Sequence, residues 1–302
     1  MRASENPVTD PTVPDRTTTT DPAVLRDIAV TVAEAAAALA RRRRPEVFGV
    51  LGAAVAATGD AVQAKSTPTD PVTVVDTETE QSIRANLARL RPHDGILGEE
   101  GGGAAATAGV RWVVDPIDGT VNFLYGIPAY AVSVAVQIDG VSVAGAVVDI
   151  AAGVTYSAAR GQGASVTDTA GGSGVLSCTT VTDASHALVA TGFGYRADRR
   201  AAQGRLVSAL LPRVRDIRRI GSAALDLCMV ASGRVDAHFE HGLSPWDWAA
   251  GALVAEEAGA RVRVPSPDTP GEAGEIVVAT APGIADELEA VLREIGAFDP
   301  VP

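Results

Sequence analysis

The chain has 302 residues, 46% of them hydrophobic but only 4% aromatic, and a formal net charge of −12. That length allows one large domain or two modest ones, and the acidic balance argues against direct nucleic-acid binding, which needs clustered positive surface. No basic-then-apolar leader pattern and no apolar run long enough to span a bilayer is visible, so a cytoplasmic protein without a membrane span is expected. The 31 glycines and few aromatics leave the core to Ala, Val, Leu and Ile. Cys178 and Cys228 have neither metal-site nor redox spacing and read as small buried residues in a reducing compartment.

Residues 1–21 are rich in Pro, Thr and Asp and read as a disordered tail. Asp21-Pro22 then has the form of an N-cap followed by a proline at the first helical position. Leu25, Ile28, Val32 and Leu39 recur at helical spacing and predict a helix over 23–42. The basic run Arg41 to Arg44 falls at its end, where cations on a solvated face complement the helix dipole. Residues 47–64 are Gly- and Ala-rich and weakly patterned, which suggests a hairpin or loop. Pro68 and Pro71 exclude regular structure until Val72, and a helix begins at or near Asp76, with Ile83, Leu87 and Leu90 on one face. Asp76, Glu78 and Glu80 crowd its start, where anions are favoured. Ile96-Leu97-Gly98-Glu99-Glu100 is a short apolar segment ending in two acids, and 101–109 is a low-complexity, flexible loop.

Val113-Val114-Asp115-Pro116-Ile117-Asp118-Gly119-Thr120 reads as a strand that stops, turns and feeds a helix. Trp112, Val113 and Val114 favour the strand, Pro116 and Gly119 break it, and Thr120 can cap the helix after it. The two carboxylates, Asp115 and Asp118, are close enough to repel unless a cation or a proton lies between them. A hard divalent ion suits carboxylate and carbonyl oxygens, and the N–H groups of Gly119 and Thr120 suit a phosphate. The alternative is an ordinary acidic strand-to-helix turn with a threonine cap. Beyond it, 130–138 alternates, Asp139-Gly140 is a hairpin signal, 141–150 and 154–158 continue the β-pattern, and 160–163 is a Gly-rich turn. Residues 171–174 look like a soft linker. From Ala187 to Ile295 strands and helices alternate, which implies an α/β layer with crossover connections. The expected class is α/β, with a meander half, 22–185, and an alternating half, 186–302, that meet at a cleft.

Three acidic positions stand out: Glu99, the Asp115/Asp118 pair, and Asp247 in the first turn after Pro245. Alone, Asp247 is a dipole-complementing acid. Together they supply what a two-metal phosphatase needs, carboxylates from separate elements around ions roughly 3.5–4 Å apart. No Gly-X-Ser-X-Gly elbow and no Cys–His pair is present, so the nucleophile should be water. His93, His186, His238 and His241 are scattered, which points away from zinc and toward magnesium.

Asp115-Pro116-Ile117-Asp118-Gly119-Thr120, Gly98-Glu99-Glu100 and Trp246-Asp247-Trp248-Ala249-Ala250-Gly251 resemble the three signatures of the inositol monophosphatase family. Residues 65–76 and 219–231 are most similar to its actinobacterial SuhB-type members, and the resemblance covers about 23–295. It implies a layered α-β-α-β-α sugar-phosphatase fold and a magnesium-dependent phosphomonoesterase that releases phosphate from myo-inositol 1-phosphate. It further implies lithium sensitivity and a homodimer. Glu99, Asp115 and the Ile117 carbonyl would hold a first magnesium; Asp115, Asp118 and Asp247 a second; Glu99, through water, a third. Glu99 and Thr120 would orient the attacking water, with Thr120 polarised by Asp76. The N–H groups of Gly119 and Thr120 would hold phosphate oxygens, and Lys65 would offset negative charge. Glu240, with Asp118 and the backbone around Ser222 and Ala223, would pair the hydroxyls of the alcohol. Family members acting on histidinol phosphate, fructose 1,6-bisphosphate or 3′-phosphonucleotides leave the substrate open, and members that associate with transcription machinery leave a regulatory role open. In two places the chain departs from the pattern: Val75 stands where the family has a second threonine, and Gly192-Phe193-Gly194-Tyr195 replaces a Ser-containing segment.

Overall fold

Asp21 opens the first helix by accepting the Ala23 N–H, and Pro22 fills the first turn, where it has no N–H to leave unpaired. The computed structural model describes residues 17–49, 61–65, 71–103 and 109–302. The expectations for 1–16, for most of 47–64, for 66–70 and for the middle of the 101–109 loop lie outside the described residues.

Helix α1 spans Pro22–Phe48 and so runs past the expected end at Arg42. Pro45 is accommodated in its last turn, and Gly49 closes the helix by donating to the Pro45 carbonyl. The basic run is therefore not at a helix terminus. Arg41 donates to the Ile150 carbonyl and Arg44 to that of Phe123, while Arg43 pairs with Glu78 and Glu46. Arg41, Arg43 and Arg44 thus tie α1 to its neighbours through the polar ends of their long side chains.

A short antiparallel pair, β1 (Val62–Ala64) and β2 (Pro71–Thr73), leads into α2 (Val74–Leu90). A large sheet follows: β3 (Gly95–Gly98), β4 (Gly102–Gly103), β5 (Val110–Asp118), then, after helix α3 (Thr120–Tyr125), β6 (Ala131–Ile138), β7 (Val141–Asp149), β8 (Val154–Ala159), β9 (Ala164–Asp168) and β10 (Ser173–Val175). Their order is β10-β9-β8-β7-β6-β5-β3-β4. Asp139 (φ 50°) and Gly140 (φ 81°) make the tight β6–β7 turn that their sequence signals. The 171–174 stretch is not a linker. It turns the β9–β10 hairpin, held by Asp168, which accepts the N–H groups of Ala170 and Gly172. Gly-rich composition is common to linkers and tight turns, and the carboxylate beside it decides between them.

The second half supplies β11 (Leu188–Thr191), α4 (Ala197–Leu210), β12 (Asp216–Arg218), α5 (Ala223–Ala231), β13 (Ala237–His241), α6 (Pro245–Glu257), β14 (Arg261–Arg263), β15 (Ile276–Thr280) and α7 (Ala285–Glu294). The smaller sheet runs β12-β11-β13-β15-β14, parallel among the first three and antiparallel among the last three. The expected α/β alternation with crossovers is thus present.

Period-2 alternation distributes the core. Trp112, Val114, Val132, Val134 and Val136 face α1 and α2, whereas Val113, Ala131 and Ala135 face the opposite cluster. Helices α5 and α6 lie between the two sheets and contact both. Leu210 of α4 and Leu288 and Leu292 of α7 join the same buried cluster beyond the smaller sheet. The layers therefore run α-β-α-β-α. A helix covered on both sides must be apolar nearly all round, as Ala249 to Ala255 of α6 are. Leu253 is fully enclosed there; Leu253→Ala should cost about 2–5 kcal/mol, read as a lower urea midpoint, and an unchanged midpoint would contradict this packing.

Candidate active site

The parallel pairing of β3 with β5 places Gly98 beside Val114. The two strands therefore end side by side, and Glu99, whose N–H donates to the Val114 carbonyl, lies next to Asp115. Strand β5 does not stop at Pro116 but continues to Asp118 through a register shift between Asp115 and Asp118. Asp115 is buried and accepts the Ile117 N–H at 2.9 Å. Gly119 (φ 91°) is the N-cap of α3, and a Cβ there would approach the Ala129 carbonyl to 2.9 Å and that of Gly221 to 3.0 Å. Thr120 is consequently the first helical residue and not the cap expected of it. Its hydroxyl lies 3.0 Å from Asp76 Oδ1 and 3.0 Å from the Ile117 carbonyl.

Each remaining acid is fixed by a helix start. Asp76, in the first turn of α2, gives Oδ2 to the N–H and hydroxyl of the cap Thr73 and Oδ1 to Thr120. Asp247, in the first turn of α6, accepts the Ser244 N–H at 2.7 Å through Oδ2. Asp118 reaches across to α5, accepting the Ser222 hydroxyl at 2.5 Å and the Ala224 N–H at 2.7 Å. An acid that complements a helix dipole and one that faces a cleft are thus the same residue, because a carboxylate has two oxygens to divide between the tasks.

Asp115, Asp118 and Asp247 each offer one oxygen within 4.8 Å of the others. Burial raises Asp115 well above the usual carboxylate range, reinforced by the charges of Glu99, Asp118 and Asp247. Burial likewise lifts Asp247, followed by Asp118 and Glu99. Asp118 is pushed up to about 6 by burial, against the stabilising donors Ser222, Ala224 and Ala223, and Asp76 to about 7, burial outweighing its Thr73 hydrogen bond. Glu99 is joined to Lys65 at 2.7 Å, and Glu100 to the same ammonium at 2.5 Å. Burial disfavours the Lys65 charge, but the two glutamates outweigh it and raise its pKa. An all-oxygen set of three carboxylates, with Glu99 and the Ile117 carbonyl alongside, fits a hard divalent cation such as magnesium.

These groups face a cleft of about 460 Å³ whose far wall includes Gly192, Arg219, Ser222, Ala223 and Glu240. Burial pushes Glu240 up to about 8, with Asp118 adding and Arg219 opposing. The structure therefore brings Lys65, Glu99, Asp115, Ile117, Asp118, Gly119, Thr120, Asp247 and Glu240 around one cleft, with Asp76 buried behind Thr120. Ser222 spends its hydroxyl on Asp118 and sits beside Ala223 at the start of α5. Val75, the departure from the family pattern, is buried in the core.

Sequence reasoning missed three supports. Glu80 is buried and accepts the N–H groups of Glu100 and Gly101 while pairing with Arg84, so it cradles the turn that presents Glu99. A Cβ on Gly98 or Gly101 would lie 2.6 or 2.7 Å from that carboxylate; the glycines flanking Glu99-Glu100, and an acid four residues before Arg84, were the available signal. Asn122 ties the turn to the opposite half by donating to the carbonyls of Ala129 and Ile220. Gly192 leaves room for Glu240, whose Oε2 would lie 2.1 Å from an added Cβ.

A family profile described as "Inositol monophosphatase family" matches residues 21–296. The chain is 60% identical over 296 residues to a Mycobacterium leprae protein named "Inositol-1-monophosphatase", covering 96% of this chain and 99% of that one. It is 42% identical over 205 residues to "Nus factor SuhB" of Escherichia coli, covering 67% of this chain and 75% of the relative. Among solved structures, "Mycobacterium tuberculosis SuhB" superposes with a TM-score of 0.78 at 52% identity, covering 93% of this chain and 100% of that one. With a profile spanning nearly all of the chain and its three signature segments gathered at one cleft, the protein belongs to the inositol monophosphatase family.

Proposed function

We propose that the chain is a magnesium-dependent phosphomonoesterase that releases phosphate from myo-inositol 1-phosphate. The observation that carries this is the convergence of Asp115, Asp118 and Asp247 beside the Thr120–Asp76 pair, in a cleft that Glu240 walls on the other side. Glu99, Asp115 and the Ile117 carbonyl would hold one magnesium and Asp115, Asp118 and Asp247 a second, with a third, weaker ion near Glu99. When bound, the cations neutralise the acids and acidify a water molecule.

The chain's own groups do the rest. Thr120 donates its hydroxyl hydrogen bond to Asp76, which leaves its oxygen free to accept one from the attacking water, and Glu99 orients the same water. Water adds to phosphorus in line as the ester P–O bond breaks, and the departing alcohol oxygen takes up a proton. The Gly119 and Thr120 N–H groups hold phosphate oxygens. Lys65 holds Glu99 and Glu100 in place and lowers the negative field. Glu240 accepts hydrogen bonds from hydroxyls of the alcohol, with Asp118 and the Ser222–Ala223 backbone completing that side; such a polar wall rejects analogues lacking the hydroxyls. The halves 22–185 and 186–302 act as two subdomains that meet at the cleft. The enzyme would work in the cytoplasm as a homodimer and supply inositol for phosphatidylinositol-derived lipids. The name of the Escherichia coli relative favours a second, regulatory reading, association with transcription machinery; the complete acidic set supports catalysis.

Phosphate release from a panel of esters, with magnesium and then with lithium added, tests this. Turnover of myo-inositol 1-phosphate above histidinol phosphate, fructose 1,6-bisphosphate and a 3′-phosphonucleotide, with inhibition by lithium, is expected; faster turnover of histidinol phosphate would refute the substrate.

The raised acids also set the pH dependence of the metal-free protein. Asp76, Asp118 and Glu240 hold protons in the folded state up to about 7, 6 and 8, respectively, whereas the unfolded chain releases them near pH 4. Between these limits the folded state binds more protons, so stability falls as pH rises. The melting temperature of chelator-treated protein should drop from pH 5 to pH 8, and magnesium should restore it at pH 8. A rise over that interval without metal would contradict the buried cluster.

A further inference from the structure

Behind the cleft wall lies a second group of ligating side chains. His238 and Glu240 are two residues apart on β13 and project from the same face. Helix α5 packs against β13 and delivers Asp226 to them. One ligating atom from each of Asp226, His238 and Glu240 lies within 4.8 Å of the others. Asp226 is 1% and His238 0% exposed. Neither oxygen of the Asp226 carboxylate and neither ring nitrogen of His238 has a hydrogen-bond partner. Four orphaned polar atoms in one buried spot are costly, and native proteins rarely tolerate them without a ligand.

The spacing discriminates between occupants. His238 Nδ1 and Asp226 Oδ2 are 3.7 Å apart, too far for a direct hydrogen bond. Ligands placed about 2.0–2.1 Å from a tetrahedral zinc ion are about 3.4 Å from one another, close to that separation. Two carboxylates balance the charge of one divalent ion. An imidazole in the set favours zinc-class metals over magnesium, which prefers all-oxygen ligands. Burial keeps the His238 ring neutral, the form that ligates. Glu240 also lines the cleft, so the fourth ligand position would open toward it.

We propose that Asp226, His238 and Glu240 form a second cation site, separate from the Asp115 cluster and selective for zinc-class divalent ions. Its occupation draws Glu240 away from the substrate. This consequence, though not the site itself, rests on the assignment of Glu240 to substrate hydroxyls. Zinc would then act as an inhibitor that raises KM for a polyol phosphate while sparing a hydroxyl-free ester such as p-nitrophenyl phosphate.

Zinc titrated calorimetrically into the full-length protein at saturating magnesium tests the site. One tight equivalent is expected, weakened at least tenfold in both Asp226→Asn and His238→Phe. Cobalt on the wild-type protein gives an independent readout, since a tetrahedral site with an imidazole ligand yields visible absorption that zinc abolishes; it serves should either variant fail to fold. Absence of zinc binding and of the cobalt spectrum at saturating magnesium, or binding unchanged in both variants, would overturn the site and mean that Asp226 and Glu240 are neutral acids. Zinc binding as described with an unmoved KM for myo-inositol 1-phosphate would leave the site standing and overturn the role of Glu240 toward substrate.

Discussion

Burial of a carboxylate cluster, reinforced by repulsion among its members, governs the site of this protein. Asp115, Asp118 and Asp247 hold oxygens within 4.8 Å of one another, with Glu99 close enough to raise Asp115 further. At an effective dielectric of about 20, two charges at that separation repel by about 3.5 kcal/mol. Three such pairs together approach the entire stability of an ordinary domain, about 5–15 kcal/mol. Protons or cations at the cluster relieve that repulsion. The acids cannot relax by moving apart, because each is pinned: Asp115 by the Ile117 N–H, Asp118 by Ser222 and Ala224, and Asp247 by Ser244.

The layering explains why the acids gather where they do. Helices α5 and α6 are enclosed between two sheets, so their flanks must be apolar and their polar chemistry is pushed to their ends. Both helices begin at the cleft. Ser222 opens α5 beside Asp118, and Asp247 lies in the first turn of α6. Helix N-termini favour negative charge, which offsets part of the repulsion and orients each carboxylate. The parallel β3–β5 pair supplies the other wall by ending two acid-tipped strands side by side. The cleft is thus a product of the same topology that buries the core.

Much of this was legible because it is written in short stretches. The strand-turn-helix order around Asp115 to Thr120, the Asp139-Gly140 hairpin and the alternation after Ala187 are local patterns and are present, although the strand runs on through Pro116 to Asp118. Errors arose where one local pattern has two tertiary outcomes. Arg41 to Arg44 look like a helix end, but α1 continues and packing recruits them as anchors. The Gly-rich 171–174 stretch looks like a linker but turns a hairpin. Thr120 looks like a cap, yet the sharp turn needs a left-handed residue there and Gly119 takes the position. The supports of the site were least legible. Glu80, Asn122 and Gly192 act on residues far along the chain, and Asp226 meets His238 only because α5 lies on β13. Such pairings leave no spacing signature.

The frustration in the cluster makes Asp115 the most informative position. Calorimetric titration of magnesium, paired with metal-free melting temperatures, should be done on the wild-type chain and on Asp115→Asn. The wild-type protein should bind magnesium saturably, whereas Asp115→Asn, relieved of one buried charge, should bind it at least tenfold more weakly and melt higher without metal. Undiminished magnesium affinity in Asp115→Asn, or a lower metal-free melting temperature than wild type, would contradict a cation site built on repelling carboxylates.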